Sequence, residues 1–169
     1  MEVSNTDLDR VLLIKPPTNF EDFRGEYVEI YNRRLLAAAG ITVDFIQDDI
    51  SVSNYKVLRG IHGDGSTWKL VSCLYGKFYL VVVNNDPESS QYRKWTAFTL
   101  SDKNRNQVLI PPKFGNGHLV LSETCIFHYK QNTEYDRASQ FTILWNDPVY
   151  KFWWPIQDPI ISRRDLGKE

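Results

Sequence analysis

The sequence predicts a mostly β fold, and three observations lead to this prediction. Aromatic residues make up 14% of the chain, and they occur with Val, Ile and Thr in short runs, a composition typical of strands. Gly, Asn, Asp and Pro separate these runs, as expected of turns. The runs do not alternate with long helical patterns, so βαβ units are not expected. About ten strands without covering helices must bury their apolar surface by closing as a barrel or a sandwich.

The elements follow from local composition. Trp68–Val83 contains two arms of strand composition around Tyr75-Gly76, and this pattern predicts a hairpin. A helix is predicted over Arg33–Ala39, because Leu and Ala are good helix formers and Gly40 stands where a left-handed residue would end the helix. Further strands are predicted at 10–14, 26–32, 43–50, 56–62, 94–100, 107–111, 118–122, 125–131, 140–145 and 151–154.

Length and charge restrict the classes of function. A chain of 169 residues can bury a core without disulfides or metals, and we expect a single domain over residues 1–169. Lys and Arg total 20 against 21 Asp and Glu, so no overall field would hold nucleic acid or an anionic membrane surface. An anionic ligand would need locally placed Arg and Lys side chains instead.

The N-terminal segment and the cysteines indicate a cytoplasmic protein. Residues 1–7 are polar and acidic, unlike a secretory signal, and no apolar run approaches the ~18 residues that span a bilayer. Cys73 and Cys125 each lie inside an apolar run, which indicates two buried thiols in a reducing compartment rather than a disulfide or a zinc site. We therefore expect a soluble, cytoplasmic chain.

Two strands carry residues that could perform chemistry. In Val57–His62, strand alternation places Leu58, Gly60 and His62 on one face and Arg59 and Ile61 on the other. A histidine at a strand end beside glycines is well placed for a base, although on periodicity alone a structural histidine is the simpler interpretation.

Lys69 begins the next strand and shares a face with Val71 and Cys73, which puts an ammonium group among apolar side chains. A surface lysine at a strand end is the simpler interpretation of this residue alone. In the segment 125–129, Cys125, Phe127 and Tyr129 share one face and His128 lies on the other, so Tyr129 is inside if that face lines a barrel.

Anion and metal binding can also be considered from the residues. Arg24 follows a polar turn and can be interpreted as part of a solvated loop, or, with Arg59, as a fork for a diphosphate. The three histidines are His62, His118 and His128, with no His-x-His or His-x-x-x-His pair. Because His128 is predicted to face outwards, we expect no metal site.

Together these segments resemble the cupin-fold family of nucleotide-4-keto-sugar epimerases, typified by dTDP-4-dehydrorhamnose 3,5-epimerase. The resemblance covers roughly residues 10 to 166. The matching segments in chain order are Phe20-x-Asp22-x-Arg24-Gly25-x-Tyr27-x-Glu29, Gln47–Ser51, Leu58–His62, Lys69–Val71, Ile110-Pro111, Leu121–Glu123, Tyr129-Lys130, Trp145–Asp147, Trp154-Pro155 and Ile161–Asp165. The resemblance implies a cupin-type jelly-roll β-barrel with a short helix and N-terminal strands that exchange with a partner subunit.

The resemblance also implies roles for individual residues. His62 resembles the base, Asp165 the carboxylate that orients it, Lys69 the group that stabilises the enolate oxygen and Tyr129 the opposing proton donor. These roles reverse the simpler interpretations of His62 and Lys69. The residues implied to bind substrate are Arg24 and Arg59, which would clamp the diphosphate, with Phe20, Glu29, Gln47, Asn116 and His118. No cofactor is implied, and the Arg24 segment reaching a neighbouring site implies a homodimer.

One departure concerns the sugar. The rhamnose-pathway enzymes usually read Phe-Ala-His-Gly-Phe where this chain reads Phe114-Gly-Asn-Gly-His118, so Asn116 replaces a histidine and cannot accept a proton. With Gly63-Asp64 after His62, this looks more like the branch acting on GDP-4-keto-heptoses in bacterial capsule synthesis. The resemblance therefore implies an epimerase acting at C3, C5 or both of a GDP-4-keto-heptose or a dTDP-4-keto-6-deoxyhexose.

Two alternatives stay open on the sequence. A 3,4-ketoisomerase of the same barrel fold would move the carbonyl instead of inverting a centre. A sugar-nucleotide binding module would have kept the barrel and lost the chemistry, although binding alone requires neither the Lys69 cation nor the opposed Tyr129 acid.

Overall fold

The computed structural model describes residues 1–16 and 18–168, with the side chains at positions 18 and 19 excepted. Within these residues the chain forms one short α-helix and fourteen β-strands. The helix, α1, spans Arg33–Ala38. The strands β1 to β14 span, in order, Glu2–Asn5, Leu12–Lys15, Thr18–Asp22, Gly25–Glu29, Gln47–Asn54, Val57–Gly63, Lys69–Tyr75, Lys77–Asn84, Trp95–Ser101, Gln107–Ile110, Phe114–Val120, Thr124–Gln131, Phe141–Thr142 and Ile160–Ile161.

The strands form two six-stranded sheets and a separate hairpin. The first sheet has the order β1-β2-β10-β7-β12-β5, and the second has the order β13-β6-β11-β8-β9 with β14 added parallel to β6. Strands β3 and β4 pair only with each other among the described residues. The two large sheets face each other and are not joined by a strand pairing in the described chain, as in an open jelly-roll barrel. The predicted all-β class is confirmed.

The predicted hairpin at 68–83 is wrong, although both of its strands exist. Strand β7 lies in the first sheet and β8 in the second, so Gly76 carries the chain across from one layer to the other. Gly76 has φ +78°, and a Cβ there would collide with Ser122 and Thr124. Both arms carry apolar residues on both faces, and placing them in different sheets lets each arm be covered on both sides.

The predicted helix is confirmed, and its ends have physical causes. The side-chain oxygen of Asn32 accepts a hydrogen bond from the Leu35 backbone N–H at 3.1 Å, which caps the N-terminus. Gly40 has φ +84° immediately beyond the helix, as predicted for a residue that ends it. Leu36 is the buried residue of the helix and packs on the outer face of the first sheet.

Several strand predictions differ from the structure. The strand predicted at 43–50 lies at Gln47–Asn54, and the one predicted at 118–122 begins at Phe114. The structure has no strand at 151–154, and it contains β1, β3 and β14, which the sequence did not predict. The Phe114–Gly117 segment has poor strand propensity, but β11 is paired on both sides, by β6 and β8, and tertiary pairing overrides such preferences.

Three buried clusters stabilise the layers. One lies between the two sheets and contains Phe78 and Phe127. The second covers the outer face of the second sheet, where Ile61 packs with Trp154 from the C-terminal segment. The third lies under Leu36 on the outer face of the first sheet. Of the helices in the described residues, none has the length and apolar character required to cross a bilayer.

Candidate active site

A cavity of about 400 Å³ opens between the two sheets, next to the core cluster that contains Phe127. The second sheet contributes Arg59 and His62 from β6, with Asn116 and His118 from β11. The first sheet contributes Ser51 of β5, Lys69 of β7, and Phe127 and Tyr129 of β12. Loops complete the lining with Tyr135, Arg137, Gln140, Ser162, Arg164 and Asp165. Residues that are far apart in sequence therefore converge on one cavity.

His62 and Asp165 form a hydrogen-bonded pair in this cavity. Nε2 of His62 lies 2.7 Å from Oδ1 of Asp165, and the Asp165 side chain is only 4% exposed. The Gly60 backbone N–H donates to Oδ2 of the same carboxylate at 3.2 Å. Burial opposes ionisation of Asp165, but the hydrogen bonds from His62, Gly60 and Ser162 outweigh it and hold the pKa of Asp165 below its ordinary value. Asp165 is therefore a carboxylate near neutral pH.

The facing sheet carries a buried cation and a phenol. The Lys69 side chain is nearly buried, and its Nζ lies 5.8 Å from the centre of the Tyr129 ring. Burial lowers the pKa of Lys69, and the charge of Asp64 opposes this change. Burial and the neighbouring Asp49 raise the pKa of Tyr129, so its hydroxyl keeps its proton at neutral pH. As predicted, Tyr129 shares the inward face with Cys125 and Phe127.

The outward face of β12 also follows the prediction. His128 lies opposite that inward face, and its Nε2 is 2.9 Å from Oδ1 of Asp48. Lys130 contacts the same carboxylate at 2.8 Å. The Asp48 carboxylate thus joins His128 Nε2 and Lys130 Nζ on the outer side of the first sheet, away from the cavity.

His118 lies in the cavity as a neutral ring. It stacks on Phe127 with ring centroids 4.0 Å apart and is 3% exposed. Burial and the neighbouring Arg59 lower the pKa of His118 to about 3. Its Nε2 has no hydrogen-bond partner in the described part of the chain, and neither has the buried Ser51 Oγ. A buried polar atom without a partner costs about 1–3 kcal/mol, so this part of the cavity is suited to a hydrogen-bonding ligand.

Arg59 and His62 both line the cavity, which contradicts the prediction that they face opposite ways. The register between β6 and β11 shifts between Asn116 and His118, and Gly60 has φ +116°. This irregularity breaks the alternation of side chains along β6. Leu58 and Ile61, predicted on opposite faces, instead both pack in the cluster outside the second sheet.

Sequence reasoning identified Asp165 but missed the other loop residues that complete the cavity. Arg137 and Arg164 line it together with Gln140, and Nη2 of Arg164 donates to Oε1 of Gln140 at 3.3 Å. The one sequence signal that could have identified Arg164 is its position next to Asp165 in the Ser-x-x-Asp segment. The loop preceding β13 has no regular pattern, so periodicity could not assign Arg137 or Tyr135 to the site.

Four predicted substrate-binding residues do not line the cavity of their own chain. Phe20 and Arg24 lie on the β3–β4 hairpin, where both side chains are exposed and Arg24 pairs with Asp22. Glu29 ends β4, and its Oε1 is buried without a partner in the described chain. Gln47 is the first residue of β5, and its Oε1 accepts from the Tyr135 backbone N–H at 2.9 Å.

The cysteines and the acidic residues bear on metal binding. Cys73 and Cys125 are both buried free thiols, as predicted. Over residues 1–16 and 18–168 the structure contains no group of three His, Cys, Asp or Glu residues positioned to hold a metal ion.

Comparison with known proteins gives a consistent result. A family model described as dTDP-4-dehydrorhamnose 3,5-epimerase matches residues 5–169. A curated protein of that description from Shigella flexneri is 36% identical, over 99% of this chain and 94% of the relative. Another from Methanothermobacter thermautotrophicus is also 36% identical, over 95% of this chain and 89% of the relative.

Solved structures are similar over nearly the whole chain. A crystal structure of dTDP-4-dehydrorhamnose 3,5-epimerase from Elizabethkingia anophelis NUHP1 matches with a TM-score of 0.90 and 36% identity, covering 99% of this chain and 94% of that one. A dTDP-6-deoxy-D-glucose-3,5-epimerase from Legionella pneumophila, solved with dTDP-4-keto-L-rhamnose, matches with a TM-score of 0.92 and 34% identity, covering 98% and 90%. The predicted jelly-roll fold is thereby confirmed.

Proposed function

Because the chain belongs to the dTDP-4-dehydrorhamnose 3,5-epimerase family, we propose that it inverts C3, C5 or both in a nucleotide-linked 4-keto sugar by proton transfer through an enolate. One observation carries this proposal. The His62–Asp165 pair, with a 2.7 Å hydrogen bond, lines the second-sheet wall of a cavity whose first-sheet wall carries Lys69 and Tyr129. A base and an acid on opposite walls are what inversion requires, because one face loses a proton and the other gains one.

His62 is the proposed base. An ionised Asp165 can only accept hydrogen bonds, so Nε2 of His62 carries the proton in their 2.7 Å contact. Nδ1 is then left with a lone pair that takes the proton from the carbon beside the ketone. The resulting imidazolium is stabilised by the adjacent carboxylate, and a positioned base of this kind contributes about 10²–10⁴ in rate.

Lys69 is proposed to stabilise the enolate oxygen. Removal of the proton moves negative charge onto the C4 oxygen. A cation fixed beside that oxygen lowers the activation free energy of the reaction, most effectively when water is excluded. The Lys69 side chain is 8% exposed, and a preorganised group of this type contributes about 3–4 kcal/mol. Tyr129 then donates its hydroxyl proton to the opposite face, and its raised pKa keeps that proton available at neutral pH.

The anionic part of the substrate is proposed to lie at the arginine-rich side of the cavity. Arg59, Arg137 and Arg164 line the cavity with Lys69, against the single acidic residue Asp165 among the lining residues. Guanidinium groups bind phosphate oxygens through paired hydrogen bonds. This local positive charge is consistent with a nucleoside diphosphate, although the chain as a whole has a formal charge of -1.

The nucleotide distinguishes two substrate classes. The named relatives act on dTDP-linked sugars, which favours a dTDP-4-keto-6-deoxyhexose. The Asn116 and His118 substitutions in β11 favour a GDP-4-keto-heptose. Thermal-shift titrations with dTDP and GDP compare the two, because a ligand stabilises the folded chain according to its occupancy. The nucleotide giving the larger shift at equal concentration identifies the class.

The catalytic form is proposed to be a homodimer in which the β3–β4 hairpin completes the neighbouring site. Phe20 and Tyr27 on this hairpin are 68% and 67% exposed, and Phe23 at its turn is 98% exposed. Single-chain proteins rarely expose such aromatic surface without a partner. Arg24, on the same hairpin, lies outside the cavity of its own chain, and a second copy provides a cavity for it.

Solvent exchange tests the proposed reaction. The protein incubated in deuterium oxide with dTDP- and GDP-linked 4-keto sugars should place deuterium at C3 or C5, and product NMR should show an inverted centre. A product with the carbonyl moved to C3 would indicate the ketoisomerase alternative. Absence of exchange with every 4-keto sugar, while the nucleotide still binds, would favour the binding module.

A further inference from the structure

The Lys69 ammonium group meets the side chain of Asn116 across the cavity. Lys69 projects from β7 of the first sheet and Asn116 from β11 of the second. Their Nζ and Oδ1 atoms are 3.5 Å apart, and within the described chain this amide oxygen is the one hydrogen-bond acceptor of the ammonium. Two of its three N–H donors therefore remain directed to other groups or to a ligand.

The acidic groups around Lys69 are engaged elsewhere. Oδ1 of Asp64 accepts from the backbone N–H groups of Ser66 and Thr67 at 2.9 and 2.7 Å. Asp165 is held by His62 on the facing sheet. The positive charge of Lys69 is thus left without an ion-pair partner in the described part of the chain.

We propose that Asn116 is a positioning residue for Lys69, holding the ammonium group towards the cavity without neutralising its charge. The inference rests on the proposed function, in which Lys69 receives the enolate oxygen. Asn116 also stands directly opposite His62 in the strand register, so one amide fixes the distance between the base on its own sheet and the cation on the other.

The Asn116 amide accepts a hydrogen bond from Lys69 without carrying a charge, a combination that neither aspartate nor alanine provides. An aspartate at position 116 would have the same shape but would form an ion pair with Lys69, which competes with the enolate oxygen for the ammonium. An alanine would leave the buried ammonium without its acceptor, and an unpartnered buried charge is destabilised. Asn116→Asp should therefore raise the pKa of Lys69, and Asn116→Ala should lower it further.

The test combines a titration with kinetics. The pKa of Lys69 is measured by ¹⁵N NMR of the lysine side chains, with Lys69→Met identifying the signal. Asn116→Asp should raise this pKa and reduce kcat by about 10²-fold, the loss associated with one oxyanion-stabilising group, with a much smaller change in KM. Asn116→Ala should move the pKa in the opposite direction, a signature that general disruption of the fold would not produce.

Gln140→Glu is the matched control, because it adds the same charge to the cavity wall beside Arg164 rather than Lys69. It should shift the pKa of Lys69 less than Asn116→Asp does. The inference is overturned if Asn116→Asp leaves both the titration and kcat unchanged, or if Gln140→Glu shifts the titration equally. The titration needs no turnover, so a chain that turns over no 4-keto sugar would refute the proposed function without hiding the effect of Asn116 on Lys69.

Discussion

Nε2 of His62 lies 2.7 Å from Oδ1 of Asp165, a hydrogen bond between residues 103 positions apart. The carboxylate also accepts from the Gly60 backbone N–H on the strand that carries His62. The C-terminal turn is therefore attached both to the imidazole and to the backbone of its strand. The orientation of the ring depends on this turn, because the carboxylate that contacts the ring is itself held by the backbone of the same strand.

Asp165→Asn should reduce kcat by about 10²-fold or more, since an amide can donate to the ring and favour the wrong tautomer. The loss should appear in kcat rather than in nucleotide affinity, because Asp165 is bonded to His62 and Gly60. Steady-state kinetics and calorimetric titration with dTDP measure the two quantities. A kcat within about twofold of wild type would contradict the proposed role of the pair.

His62→Asn and Tyr129→Phe should each reduce turnover by about 10²–10⁴, since each removes one of the two proposed proton-transfer groups and keeps most of the side chain. Nucleotide affinity should change little, because the arginines that line the cavity are untouched. If His62 is the base, deuterium exchange in the Tyr129→Phe protein should persist at the deprotonated carbon, which separates proton removal from proton return. Parallel loss of binding and turnover would instead support the binding-module alternative.

His118→Phe should make the unfolding free energy less sensitive to acid. The pKa of His118 is about 3 in the folded chain, against an ordinary value of 6.5. As the pH falls, the unfolded chain therefore protonates this histidine before the folded chain does. Stability is consequently lost from pH 6.5 towards pH 3, at about 1.4 kcal/mol per pH unit for one group. Urea denaturation at a series of pH values measures the slope, and superimposable wild-type and variant slopes would show that His118 titrates normally.

Gly60→Ala should destabilise the fold by about 3 kcal/mol or more. Gly60 has φ +116°, and an added Cβ would lie 2.5 Å from Gly117 Cα. Gly40 provides the control, because it also has a positive φ, +84°, and nothing lies within 4 Å of its Cβ position. Gly40→Ala should cost only the backbone strain, about 1–2 kcal/mol. If urea denaturation shows the same loss of unfolding free energy for both variants, the close approach of β11 to β6 does not restrict position 60.

Mixing two inactive variants tests the exchanged hairpin. Arg24→Ala and His62→Asn should each be inactive or weakly active alone. In a mixed dimer one of the two sites would have both an intact Arg24 from one copy and an intact His62 from the other. Because about half of the dimers are mixed after equal amounts exchange subunits, the mixture should recover about a quarter of wild-type activity. Light scattering should show a dimer. A monomer, or no recovery after proven subunit exchange, would refute the shared site.

The inward faces of two strands could be predicted because alternation is a local property. Lys69 was expected to share a face with Val71, and Tyr129 with Phe127. Both pairs of faces are confirmed by the core and the cavity. Successive side chains on a regular strand must point to opposite sides, so these faces required only the correct strand assignment.

Where local rules were broken by tertiary pairing, prediction failed. Strand β6 loses its alternation at Gly60, and Arg59 and His62 consequently share the cavity. The apolar arms on either side of Gly76 have the composition of a hairpin but lie in different sheets. Composition identifies a strand, but the choice of its partner depends on which surfaces remain to be buried.

The sequence by itself determined the strand-rich class, the short helix ended by Gly40, and the chemical identities of the imidazole, phenol and ammonium groups. Only the tertiary structure decided that His62 and Tyr129 line one cavity from facing sheets, and that Arg164 and Gln140 join them there. The reason is physical. Propensity and periodicity act over a few residues, whereas the cavity is formed by contacts such as His62–Asp165 that span most of the chain and exist only when both sheets and the C-terminal turn have packed together.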